Sequence, residues 1–292
     1  MINPDITIII ASAGDKKRAK SLQKAVQSIE HQKNINAKIL IVFNGPNVSE
    51  DCSLLFKDKT HITITYQQKP SLPNALHYGR SCIDTDYFGF LDDDDLYIED
   101  TLQLKYHLLI ENPAIDVVAS NGLIDFGDTQ GKLLCDTLAP EKDPMAMLFQ
   151  QNWLASCGGL FRSKTVGLAY FKKDVKYYEW TMTAFLLSLD RNIAYLPEPT
   201  FIINQTMGSL SASSTYLETR PDFLTLLLTY PISKQIKKVI KQRRCAAFHQ
   251  LSEYYLKQQN RKKAWLYHFK SLFNIQGLKY LSYSYHLIRF KK

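Results

Sequence analysis

Tyr87-Phe88-Gly89-Phe90-Leu91-Asp92-Asp93-Asp94-Asp95 joins a short apolar run directly to four consecutive aspartates. The apolar residues have the length and aromatic content of a buried strand, and the aspartates end it. Adjacent carboxylates repel one another unless a cation neutralises them, and hard oxygen ligands suit Mg2+, Mn2+ or Ca2+. Two carboxylates at i and i+2 on a turn can face one point. Mg2+ takes only one or two protein carboxylates and completes its shell with water and substrate phosphates, so a nucleotide diphosphate is a natural co-ligand. The competing reading is a solvated acidic turn that caps the following helix. Placement decides between the two, because ligands of parallel α/β sheets sit beyond the carboxyl ends of the strands.

The flanking segments supply that placement. Ile6-Thr7-Ile8-Ile9-Ile10 is a β-branched strand followed by the turn Ala11-Ser12-Ala13-Gly14-Asp15 and a helical stripe of Leu22, Ala25, Val26 and Ile29. Lys38–Phe43 reads as a second strand stopped by Asn44-Gly45-Pro46, and His61–Tyr66 as a third. Leu72–Ile83 reads as a helix with Ala75, Leu76 and Gly79 inward. Strand–helix alternation over the first hundred residues predicts a Rossmann-type, mainly parallel α/β sheet flanked by helices. Further on, Asp116–Ser120 and Leu123–Phe126 read as strands, Trp153–Arg162 as an apolar run with Gly158-Gly159, and Tyr178–Leu189 as an apolar helix. Ile193–Leu196 is strand-like and ends in Pro197-Glu198-Pro199; Ser209–Thr215 is a Ser-rich loop.

The 292 residues carry a net charge of +8, unevenly spread. Residues 1–230 hold 21 Lys+Arg against 27 Asp+Glu; residues 231–292 hold 15 against Glu253 alone. The body is mildly acidic and the tail strongly basic, helical in pattern and rich in aromatics. That pattern suits an interfacial membrane helix, and equally a helical hairpin with a solvated basic face. Nucleic acid is a third partner class, unsupported by any recognised motif. Cysteines 52, 82, 135, 157 and 245 are scattered without a Cys-x-x-Cys pair, which excludes a disulfide framework or zinc ribbon and fits a reducing cytoplasm. No stretch reaches the roughly 18 apolar residues of a membrane span. Met1–Asp5 lacks a basic region ahead of the first apolar run, which is expected to be a strand and not a leader. Trp153 is a candidate for stacking on a sugar ring or for the core.

Phe90-Leu91-Asp92-Asp93-Asp94-Asp95, preceded by Asp86-Tyr87, resembles the Asp-x-Asp signature of the family 2 glycosyltransferases, which have the GT-A fold. Ile6–Ile10 with Ala11-Ser12 is similar to the family's first strand and nucleotide turn. Arg18, Leu22, Ala25-Val26, Ser28-Ile29 and Gln32 match its first helix. Ile39–Val42 with Asn44-Gly45 resembles its second strand and Asp-Gly turn. Leu72, Ala75-Leu76 and Gly79 match the helix before the metal site. Tyr178-Glu179-Trp180 resembles the Glu-Asp-Trp segment that carries the base, and Tyr195-Leu196-Pro197-Glu198-Pro199 resembles the family's next segment. The likeness covers about residues 5–215.

The resemblance implies roles. Asp92 and Asp94 form the Asp-x-Asp metal pair, with Asp94 the direct ligand and Asp92 nearer the ribose. Asp93 faces the nucleotide. Ala11, Ser12, Ala13 and Asn44 line the base and ribose pocket, Gly158-Gly159 lets backbone approach the donor sugar or acceptor, and Glu179 is the general base. Several positions depart from the family pattern. Phe43 or Asn44 stands where an acid is usual, His77 replaces an Asn, Glu179 replaces an Asp, and Thr206-Met207 precedes Gly208-Ser209-Leu210-Ser211 where a His is common.

The implied protein has a GT-A-like nucleotide-sugar-binding catalytic domain over 1–225 and a basic amphipathic helical tail over 226–292. Its implied activity is metal-dependent (Mn2+ or Mg2+), inverting transfer of a hexosyl or N-acetylhexosaminyl group from a nucleotide-diphosphate sugar, UDP-sugars foremost. The acceptor is a glycan or lipid-linked, in cell-surface polysaccharide synthesis. The expected location is cytoplasmic, peripheral on the inner face of the cell membrane through the tail. The alternative is a non-catalytic nucleotide- or glycan-binding relative. A nucleotidyltransferase is disfavoured because Ala11–Asp15 holds a single glycine.

Overall fold

A computed structural model describes residues 6–127, 129–135, 139–204 and 214–289, and the chain divides into two compact units, Met1–Thr206 and Met207–Lys292. The first unit begins as the hydrophobic pattern predicts. β1 (Ile6–Ser12), α1 (Ala19–Glu30), β2 (Ala37–Asn44), the short α2 (Glu50–Leu54), β3 (Ile62–Gln67), α3 (Leu72–Ser81) and β4 (Tyr87–Asp92) alternate along the chain. β1 is buried at every position, as a central strand covered on both faces must be. It pairs in parallel with β2 and β4, and β2 with β3.

Helices cover the sheet through the stripes visible in the sequence. Leu22, Ala25, Val26 and Ile29 of α1 pack with Ile6, Ile8 and Ile10. Ala75, Leu76 and Gly79 of α3 are buried. Gly79 is required by close approach, since a Cβ there would lie 2.6 Å from Ile9 Cγ2. The buried Gln32, just past α1, accepts from the Leu102 N–H at 2.9 Å and donates to the Ile98 carbonyl at 2.8 Å, which fixes the start of the next helix.

Beyond β4 the sheet becomes mixed. β5 (Leu96–Tyr97), α4 (Leu102–Glu111), β6 (Val117–Asp125), β7 (Gln130–Lys132), α5 (Pro144–Leu148), β8 (Gly159–Arg162), α6 (Glu179–Asp190) and β9 (Ile193–Asn204) complete the unit. The strand order is β3-β2-β1-β4-β8-β6-β9-β5, with β7 on β6. β8 runs antiparallel to both β4 and β6, while β6 and β9 are parallel. Two segments that read as separate strands, Asp116–Ser120 and Leu123–Phe126, are one strand, β6. β9 likewise continues through Pro197 and Pro199, where its register against β6 shifts at Asn121. Proline is admitted in a strand at such an irregularity because the missing N–H is not needed there.

The second unit is helical: α7 (Ser214–Leu227), α8 (Lys234–Lys257), α9 (Arg261–Leu272), a 3-10 turn over Ile275–Tyr280, and α10 (Tyr283–Arg289). Ser233 caps α8 by accepting from the Ile236 N–H, and Asn260 caps α9 through the Lys263 N–H. Leu251, Tyr255, Leu256, Ala264 and Leu287 form its core. No helix among the described residues is long and apolar enough to cross a membrane.

Candidate active site

Parallel register brings the ends of three strands together. Asn44 ends β2, Ser12 ends β1, and Asp92 pairs with Ala11 across β1 and β4. Asn44 Nδ2 donates to the Ser12 carbonyl at 3.3 Å. Ser12 Oγ donates to Asp93 at 2.5 Å and accepts from the Gly14 N–H at 3.1 Å. Gly14 has a positive φ of 71°, which lets the turn close without a Cβ clash. Ala11 is buried and Ala13 exposed at this edge.

The four aspartates do not share one environment. Arg18, immediately before α1, donates from Nη1 to Asp93 at 2.5 Å and to Asp94 at 2.8 Å. Asp95 is buried and accepts from the Asn204 N–H at 3.1 Å and from Cys157 Sγ at 3.6 Å. Asn204 Nδ2 also donates to the Asp94 carbonyl at 2.5 Å. Asp92 accepts a hydrogen bond from the Ser156 hydroxyl.

Burial dominates the electrostatics. It pushes Asp92 up to about 7 against the Ser156 hydrogen bond, and repulsion from Asp94, Asp93 and Glu179 adds to the rise. Asp95 is pushed up to about 8 by burial and by the charges of Asp92 and Asp94. Asp93 is raised by burial, opposed by the Ser12 hydroxyl and by Arg18. Glu179, the first residue of α6, is raised by burial and opposed by the Tyr177 N–H, which donates to it at 3.0 Å. Its charge contributes the last and smallest of the effects that raise Asp92, although 87 positions separate the two in sequence.

Gly158 and Gly159 are buried, and their missing side chains leave room for protein. A Cβ on Gly158 would meet Phe201 at 3.3 Å, and one on Gly159 would meet Phe161 at 2.5 Å. Their turn also carries Ser156 and Cys157, the partners of Asp92 and Asp95. Trp153 is fully buried and donates its indole N–H to the Pro144 carbonyl at 2.9 Å, so it belongs to the core and offers no stacking face. His77 Nδ1 donates to the Phe171 carbonyl at 2.8 Å. Trp180 meets Phe90 edge to face at 5.1 Å between ring centroids. Thr206-Met207 and Gly208-Ser209-Leu210-Ser211 lie outside the described residues.

The acid-binding role of Arg18, and Ser156, Cys157 and Asn204 as partners of the aspartates, could not be found from spacing. Nor could Lys105. This residue of α4 has 0% exposure and donates from Nζ to the Cys157 carbonyl at 3.3 Å, beneath the turn that holds the aspartates.

The donor set fits a hard divalent cation. Four carboxylates follow one another at the strand end, one guanidinium is shared by Asp93 and Asp94, and among the described residues Asp92 has a hydroxyl but no cation for a partner. Among the described residues no three His, Cys, Asp or Glu side chains close on one point as a protein-only metal cage. A site of one or two carboxylates completed by phosphate oxygens needs no such cage.

Comparisons with known proteins agree with this geometry. No curated protein matches the chain. Among solved structures, S. aureus TarS residues 1–349 in complex with UDP superposes with a TM-score of 0.66 at 11% identity, covering 99% of this chain and 93% of that one. The same TarS fragment in complex with UDP-GlcNAc gives 0.64 at 11% identity, covering 89% of each chain. The mannosyltransferase PcManGT from Pyrobaculum calidifontis, in complex with GDP-Man and Mn2+, gives 0.55 at 12% identity, covering 99% of this chain and 81% of that one. At these identities the likeness establishes the fold, that of GT-A glycosyltransferases. The family model for glycosyl transferase family 2 matches residues 7–166, which hold β1 through β8 and all four aspartates. With more than half its length matched, the chain belongs to glycosyl transferase family 2.

Proposed function

We propose that this glycosyltransferase moves a hexosyl or N-acetylhexosaminyl group, with inversion, from a nucleotide-diphosphate sugar to a hydroxyl of a glycan or lipid-linked acceptor. The observation that carries the reading is the Asp92–Asp95 strand end beside the Ser12 turn, where the charge of Glu179 adds to the repulsion felt by Asp92. Ala11, Ser12, Ala13 and Asn44 bind the nucleoside, and Asp93 faces it. Asp92 and Asp94 would hold Mn2+ or Mg2+ with the diphosphate, and the bound ion supplies Lewis-acid stabilisation of the leaving nucleotide. Arg18 neutralises Asp93 and steadies Asp94. Gly158 and Gly159 contribute backbone at the sugar side, on the turn that orients Asp92 through Ser156. Glu179 takes the proton from the acceptor hydroxyl as it attacks the anomeric carbon. Its raised proton affinity makes the carboxylate a better base, a contribution of about 10²–10⁴-fold in such systems. One base on the attacking side implies a single displacement, hence inversion.

A UDP-sugar donor is favoured by the two TarS complexes, while the PcManGT complex supports a divalent ion beside the nucleotide sugar. The family and the basic tail support a setting in cell-surface polysaccharide synthesis, cytoplasmic and peripheral on an anionic membrane face. The test is nucleotide release from UDP-, GDP- and dTDP-sugars with Mn2+ or Mg2+ and a cell-lipid extract, comparing wild type with Asp94→Ala and Glu179→Ala. Metal-dependent release of one nucleotide, lost in both variants, is expected. Silence across the panel with nucleotide binding intact overturns catalysis in favour of a binding protein.

A further inference from the structure

Fifteen large apolar side chains are exposed among the described residues, and eight of them lie between Leu266 and Ile288. Such concentration is unusual for a solvated surface and marks an interaction face. The pattern is ordered on three successive elements. On α9, Leu266, Phe269 and the following Phe273 repeat at three and four residues, and the buried Ala264, His268 and Ser271 occupy the opposite side. At about 100° per residue the two sets fall roughly half a turn apart. In the 3-10 turn, Ile275, Leu278 and the following Leu281 recur every third residue, where side chains of a 3-10 helix eclipse one another. Phe273 is 86% exposed and Ile275 76%, although neither carries a polar atom in its side chain. On α10, Tyr285 and Ile288 repeat the spacing opposite the buried Leu287.

The charge along this stretch of the chain has one sign. After Glu253 the sequence contains nine Lys and Arg and no acid. Lys262 falls on the outward side of α9 with Leu266 and Phe269. Lys279 lies over Tyr280 at 4.9 Å, and the Arg289 guanidinium lies over Tyr285 at 4.0 Å. Glu253 lies beside Lys279, Tyr280 and Tyr283, paired with His249 at 3.7 Å, and is outnumbered by the cations around it. Aromatic and aliphatic side chains that project among a large excess of cations complement a layer with negative headgroups and an apolar interior. A protein partner of matching acidity would satisfy the charges, but would leave unexplained why the apolar residues follow one another along the chain instead of forming a bounded pocket.

We infer that residues 262–289 form a membrane-insertion face, in which the apolar stripes of α9, the 3-10 turn and α10 enter the headgroup–acyl boundary of an anionic bilayer and the flanking Lys and Arg bind its headgroups. This deepens the membrane-side setting proposed above, and rests on that reading only for the purpose it serves. Insertion, not charge alone, holds the protein there, so binding persists in part when salt screens the headgroups. The face also places the helical unit against the phase that carries lipid-linked sugars.

The experiment is co-sedimentation of the full chain with vesicles of phosphatidylglycerol and phosphatidylcholine, and with pure phosphatidylcholine, at low and high salt. Wild type binds the anionic vesicles and keeps a measurable fraction bound at high salt. Phe273→Asp and Leu278→Asp each weaken binding by about tenfold or more at both salt levels. Lys262→Ser and Lys279→Ser weaken it several-fold at low salt only. Circular dichroism of each variant confirms folding, and nucleotide release in solution by Phe273→Asp stays at the wild-type rate. Binding unchanged in both Asp variants overturns the inference. So does the absence of vesicle binding together with a concentration-dependent dimer that Phe273→Asp dissolves, which assigns the face to a second copy. Vesicle binding without turnover on any donor leaves this inference standing and defeats the transferase reading instead.

Discussion

Replacing Lys105 by Met should stabilise the protein near neutral pH and impair it as an enzyme. Lys105 is fully buried, with one hydrogen bond to the Cys157 carbonyl at 3.3 Å and the Tyr97 ring centroid 4.9 Å from Nζ. Burial lowers its pKa from 10.5 to about 8. Between about 8 and 10.5 the folded chain therefore holds fewer protons than the unfolded chain, so stability rises with pH across that window. Below about 8 the full penalty applies, about 3 kcal/mol at 1.36 kcal/mol per pH unit. Met retains the unbranched apolar stem and removes the charge. After subtracting about 1 kcal/mol for the lost hydrogen bond, the variant should gain about 2 kcal/mol at pH 7. Urea unfolding of both proteins from pH 7 to pH 10 reads the difference and cancels every group they share. The advantage of Lys105→Met should hold up to about pH 8 and shrink from there as pH rises towards 10. A difference that stays constant over that range refutes the assignment of the penalty to Lys105. The same variant frees the turn whose Ser156 and Cys157 hold Asp92 and Asp95, so kcat/KM for the donor should fall even as stability rises. Unchanged kcat/KM would show that the buried amine does not position the site.

Glu179→Gln should abolish sugar transfer while nucleotide affinity, measured by calorimetry, stays within about twofold, and in wild type the acid limb of kcat should lie above the ordinary glutamate range of about 4.3 because burial raises this carboxyl. Arg18→Met should cost roughly 1–3 kcal/mol in metal-free buffer, since it leaves the buried Asp93 without its cation; part of that loss should return in thermal melts with Mn2+, and no recovery would argue against a divalent ion at this strand end. Gly122→Ala puts a Cβ 2.2 Å from the Phe201 ring, between β6 and β9, and should destabilise by about 1–3 kcal/mol in chemical unfolding.

The division between sequence and structure reflects the range of the forces involved. Hydrophobic period and turn chemistry are local, so the β-branched run at Ile6–Ile10, the α1 stripe and the Asp92–Asp95 strand end were legible, and with them the family and the parallel half of the fold. Glu179 was legible by its likeness to a family segment, not by any physical signal of its own. Local pattern cannot say which strand lies beside which. The antiparallel β8 between β4 and β6, the single strand through Asn121, and β9 passing through two prolines were settled by pairing partners and a register shift. The division of labour among the aspartates was equally invisible, because their partners are remote: Ser12 and Arg18 for Asp93, Arg18 for Asp94, Cys157 and Asn204 for Asp95. Within the run, Asp92, Asp93 and Asp95 have their proton affinities raised by burial and altered by different neighbours, and both influences exist only once the chain has folded.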